Sequence, residues 1–105
     1  MQKSEIILEG DTSGISFRLP VYRFAGSDAS APKTYMQAAL HAEELPGTAA
    51  LHFLLPMLEA AQARGEILGD ITLVPRANPI GGSQWINGQN EGRFDLASRV
   101  NFNRD

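Results

Sequence analysis

The sequence predicts an α/β fold, a partial mixed β-sheet made of an N-terminal hairpin and a β-α-β crossover. Three observations carry that prediction. Two strand-like runs, residues 5–9 and 14–24, flank a turn-rich Gly10-Asp11-Thr12-Ser13-Gly14 segment. Residues 34–41, 46–64 and 70–75 then read strand, helix, strand. Composition is that of one ordinary globular unit: 105 residues, 43% hydrophobic, 20% charged and a net charge of −3.

Each element has a local reason. Ile15, Phe17 and Leu19 alternate with Ser16 and Arg18, the period of a strand with one buried face, and Pro20 points to an edge position or a bulge. Residues 34–41 are almost continuously apolar, which suits a central strand covered on both faces. Pro46 suits a first helical turn, Glu43 and Glu44 fall near its positive end, and Gly65 makes a natural stop. Leu51, Leu54, Leu55, Leu58 and Ala61 form the inward stripe. Pro56 removes one backbone bond, so a kink near residues 52–56 or a later helix start is expected. Residues 70–75 should return parallel to the strand before the helix. From Arg76 onward, Asn-Pro, Gly-Gly, Asn-Gly and Glu-Gly pairs argue against regular structure. A loop this long in a compact domain is usually functional or else unfinished.

Charge and composition exclude several classes. Residues 1–75 carry five bases and nine acids, whereas residues 76–105 carry four arginines against three acids. Arginine forks interleaved with asparagines suit a compact anion such as a carboxylate better than a nucleic-acid backbone, which calls for a basic face. No segment is apolar enough to span a bilayer and the first residues lack a signal-type apolar core, so a cytoplasmic address is expected. With no cysteine, a metal would be held by His, Asp or Glu.

His41-Ala42-Glu43-Glu44 falls where the first crossover strand ends and the helix begins, the place where open α/β sheets put ligands. Residues three apart on one turn can reach a common ion, and zinc accepts both an imidazole and a carboxylate. The same pair could equally be structural, with Glu44 capping the helix and His41 filling a strand end. His52, on the polar side of the helix, reads as a surface residue.

Residues 41–47 (His-Ala-Glu-Glu-Leu-Pro-Gly), 73–81 (Leu-Val-Pro-Arg-Ala-Asn-Pro-Ile-Gly), 92–95 (Gly-Arg-Phe-Asp) and 101–105 (Asn-Phe-Asn-Arg-Asp) together resemble the succinylglutamate desuccinylase/aspartoacylase family, relatives of the zinc carboxypeptidases. The resemblance implies a zinc carboxypeptidase-like fold and hydrolysis of an amide bond in an N-acyl amino acid or at a peptide C-terminus. It implies that His41 and Glu44 are two of three Zn2+ ligands. It also implies that Asn103 and Arg104 bind a substrate carboxylate or polarise the carbonyl, and that Arg93 is the additional arginine at the carbonyl, with Arg76 and Arg99 as weaker claimants.

The family places a histidine ligand and a catalytic glutamate beyond the Asn-Arg pair, and the sequence ends one residue after it. Asp95 and Asp105 have no spacing that recommends them as substitutes. Residues 1–105 are therefore expected to be the N-terminal part of a catalytic domain, inactive alone. The alternative is a non-catalytic domain that binds carboxylates or a partner through its Arg/Asn loop. A free sheet edge offers a further route to association.

Overall fold

The computed structural model of this chain describes residues 1–104. Strands β1 (Gln2–Glu9) and β2 (Ser16–Phe24) form an antiparallel hairpin, with Glu9 opposite Ser16 and Gln2 opposite Arg23. After a loop come β3 (Thr34–Gln37), the 18-residue helix α1 (Pro46–Ala63) and β4 (Ile71–Val74). The sheet order is β1-β2-β4-β3, with β4 antiparallel to β2 and parallel to β3. A mixed sheet with a parallel β-α-β crossover is thus what the chain forms.

The core lies between α1 and one sheet face. Phe24 and Leu73 are fully buried there with Leu51 and Ile67, and Leu54, Leu55, Leu58 and Ala61 pack against them. This is the stripe that helical spacing predicts. Pro56 does not shorten the helix, which runs unbroken from Pro46. Its ring sits on the exposed side, where water can satisfy the carbonyl it frees. Thr48 Oγ1 donates to the Pro75 carbonyl at 2.8 Å and ties the helix start to the end of β4.

Two expectations about strand 34–41 are corrected. It is an edge strand, not a central one, and Tyr35 is largely exposed. It also ends at Gln37, because Ala39 adopts φ 60°, a left-handed conformation that no strand continues through. Glu43 and Glu44 precede the helix and do not lie in its first turn. Pro20 sits where β2 has only β1 beside it, since β4 reaches only Tyr22–Phe24.

The loop from residue 76 is more regular than its punctuation suggests. Asn78 caps a short helix α2 (Pro79–Ser83), its Oδ1 accepting from the Gly81 N–H at 2.8 Å. Strands β5 (Trp85–Ile86) and β6 (Gln89–Asn90) pair across Asn87 and Gly88, both at positive φ, as a two-residue hairpin turn requires. The β1–β2 hairpin runs past the end of β4 on the side of α2, where Arg18 and Pro20 line a cleft with Ala39, Asn78 and Pro79. Ile6 and Leu8 face Leu19 and Phe17 on one side of the hairpin, and Ile6, Leu8 and Ile15 remain exposed. The one-faced burial expected for Ile15, Phe17 and Leu19 is therefore partial: Phe17 and Leu19 are half-buried. The overhang gives extents of 46 × 28 × 25 Å and a radius of gyration of 16.0 Å. A compact chain of this length would give about 13 Å.

Candidate functional site

The left-handed Ala39 swings the chain out of β3 and into a turn at His41, closed by the Glu44 N–H donating to the His41 carbonyl at 3.0 Å. Three further segments meet this turn. The Asn78 amide donates to the Leu40 carbonyl at 2.8 Å. The Ala42 N–H donates to the Gly92 carbonyl at 2.8 Å. Residues Phe94 and Asn101 bridge as a short antiparallel contact that brings the tail back. Only glycine fits at position 92: a Cβ there would stand 2.7 Å from the Ala42 Cβ and 2.5 Å from the Asn90 Oδ1.

His41 is 2% exposed and its ring is fixed on both nitrogens. Nε2 lies 2.7 Å from Asn101 Oδ1, which also accepts the Asn103 backbone N–H at 2.9 Å. A backbone N–H must donate, so that atom is the amide oxygen and Nε2 carries the ring proton. Nδ1 is then a bare lone pair. It faces Glu44 Oε1 at 3.2 Å and Arg93 Nη1 at 3.0 Å. Arg93 Nη2 donates to the same Glu44 oxygen at 2.7 Å, and Nε pairs with Glu43 Oε1 at 2.6 Å. The guanidinium donating to Oε1 holds the Glu44 carboxyl below its usual range. Glu44 in turn raises the Arg93 pKa.

Nδ1 and Oε1 are thus two acceptors aimed at one point, an arrangement that repels unless a cation lies between or beside them. Two ligands of a tetrahedral zinc stand about 3.4 Å apart. The observed separation, the donor types and the proton lock on Nε2 all fit such an ion. Among the described residues no group of three or more His, Cys, Asp or Glu side chains converges, so the set stops at two.

Of the residues singled out in the sequence, His41, Glu44 and Arg93 come together. Asn103 reaches the cluster through its backbone N–H, whereas the Arg104 side chain folds back onto the Asn103 carbonyl. Arg76 lines a cleft of about 610 Å³ that opens beside Arg93 and is walled by Leu45, Trp85 and Phe94. Arg99 sits in a turn over Asp95, whose carboxylate is engaged by Ser98. His52 is exposed against Phe53. Asp105 lies outside the described residues. Asn101 and Glu43 have contacts that sequence reasoning gave them no reason to make; both depend on pairings 50 or more residues apart. Asn78 was within reach, because Asn before Pro is a helix-start signal.

The fold and the corner define a mixed-sheet α/β protein with an imidazole-carboxylate pair at a strand-to-helix junction. Residues 30–105 match the succinylglutamate desuccinylase/aspartoacylase catalytic domain, and the chain belongs to that family. It is similar to a Shewanella frigidimarina NCIMB 400 protein named for the same family, with 39% identity and a TM-score of 0.87 over 98% of this chain. A Shewanella amazonensis SB2B family protein gives 41% identity and a TM-score of 0.85 over 99%. An aspartoacylase family protein of Mesorhizobium loti, 21% identical with a TM-score of 0.59 over 88%, shares the fold. The chain spans 27% of the length of each Shewanella protein. No curated protein matches it. Among the described residues no helix is long and apolar enough to cross a membrane.

Proposed function

We propose that these residues are the N-terminal part of a zinc carboxypeptidase-like deacylase, a cytoplasmic enzyme acting on amide bonds of small carboxylates such as acylated amino acids or peptide C-termini. The observation that carries the reading is the convergence of His41 Nδ1 and Glu44 Oε1 at 3.2 Å with the ring proton held on the far nitrogen. His41 and Glu44 would hold the ion. When bound, zinc supplies a Lewis acid for the amide carbonyl and an acidified water at neutral pH.

The chain's own groups take the remaining tasks. Asn101 keeps the His41 ring in the tautomer that leaves Nδ1 free. Arg93, already beside both ligand atoms, is placed to stabilise negative charge developing on a carbonyl oxygen. Asn103 and Arg104 orient the substrate carboxylate, the Arg104 guanidinium leaving the neighbouring Asn103 carbonyl to do so. The third ligand and the proton-shuttling glutamate belong to protein outside these 105 residues.

Calorimetric titration of the 105-residue chain with Zn2+ tests the reading. Weak binding is expected, lost in His41→Ala and kept in His52→Ala. Binding indifferent to His41→Ala would end the metal assignment and favour a carboxylate- or partner-binding domain.

A further inference from the structure

Arg93 spends its three donor positions unequally. Nη1 and Nη2 rest on His41 Nδ1 and Glu44 Oε1, the two atoms assigned above to the metal. An imidazole nitrogen has a single lone pair in the ring plane, so it cannot serve an N–H and a cation together. Nε points elsewhere, to the Glu43 carboxylate at 2.6 Å. That carboxylate is the better shielded of the two, with a side chain 29% exposed against 54% for Glu44. Two acids and one guanidinium leave the corner with a net charge of about −1, still attractive to a cation.

We propose that Arg93 competes with the metal ion for one pair of ligand atoms, and that Glu43 is the positioning residue that keeps Arg93 at the site when it yields. The exchange is local. A cation takes Nδ1 and Oε1, Nη1 and Nη2 are released, and the Nε–Glu43 pair persists. Two unspent N–H forks then stay beside the ion, where a substrate oxygen must approach. Glu43, adjacent to the ligand Glu44 in sequence, thereby converts a blocking guanidinium into a binding one. The inference rests on the reading of His41 and Glu44 as ligands.

The test is Zn2+ titration of the chelator-stripped 105-residue chain, with nitrogen NMR of the arginine Nε–H groups alongside. Arg93→Gln should bind Zn2+ about ten-fold more tightly than wild type, because two charge-assisted hydrogen bonds no longer oppose the ion. Arg93→Lys, which keeps the charge but not the fork, should fall between them and serves if the glutamine variant folds poorly. At saturating Zn2+ the Arg93 Nε–H should stay protected from exchange in wild type and lose protection in Glu43→Gln. Equal or weaker binding by both Arg93 variants, with binding still lost in His41→Ala, would refute the competition and leave the zinc reading intact. Unchanged Nε–H protection in Glu43→Gln would refute the tether. Binding by Arg93→Gln that survives an added His41→Ala would overturn the ligand assignment and this proposal with it.

Discussion

Every residue of β1 is exposed, although the strand is regular over eight positions. Residues 76–104 contain only two- and five-residue elements, yet they help bury His41 and fix both of its ring nitrogens. The hairpin is held by its backbone ladder, and only the β2 strand of it packs against α1 and α2 among the described residues. The loop is held by side-chain bonds at glutamine, asparagine and arginine: Gln84 Nε2 alone reaches the carbonyls of Glu91 and Phe94. Backbone regularity and positional fixation are therefore separate properties, and the chemistry sits with the second.

That contrast can be broken or sharpened by substitution. Leu73→Ala should have the largest effect, about 3–5 kcal/mol, because a fully buried side chain is lost from the layer between sheet and helix. For a domain this small that equals much of the total stability, so urea unfolding should show both regions melting together. A site loop that stays protected from hydrogen exchange in this variant would show it to be an independent unit. Gly92→Ala should cost about 2 kcal/mol through overpacking against Ala42 and Glu43. Its hydrogen-exchange signature should be confined to residues 41–44 and 92–94, leaving the β1–β2 ladder untouched.

Acid should reach both regions by the same route. Asp70 is held below its ordinary 3.8 first by the Gly26 N–H and then by Lys33. Asp95 is held below 3.8 by the Ser98 hydroxyl and then the Ser98 N–H. Because both folded values are depressed, their stabilisation is complete above pH 3.8 and is lost as pH falls through the depressed values. Carboxyl carbon NMR should show both inflections below 3.8. Asp70→Asn should flatten the acid limb of unfolding reported by the sheet, and Asp95→Asn that reported by the loop. The smallest effect belongs to the overhang: Ile6→Ser should change the unfolding free energy by less than about 0.5 kcal/mol, since that side chain is already half in water.

The same division explains what could be read from the amino-acid order. The hairpin, α1 with its Leu51-to-Ala61 stripe and the parallel crossover follow from periodicity, which is a local signal. Apolar character extends the strand reading to residue 41 because it carries no warning of a left-handed Ala39. Asn87-Gly88 and Asn78-Pro79 are turn and cap signals that general loop punctuation conceals. The meeting of His41 and Glu44 follows from a three-residue spacing. Arg93 arrives from 52 residues away, and no spacing rule reaches that far; only the family resemblance pointed to it.

Asn101 Oδ1 receives the His41 ring from one side and the Asn103 backbone from the other. One oxygen atom therefore acts as a common datum for the imidazole and for the segment that carries the Asn-Arg pair. A one-residue slip in the tail would rotate the ring and displace Asn103 and Arg104 in the same event, so the parts of this corner proposed to face the metal and the substrate cannot drift out of alignment independently.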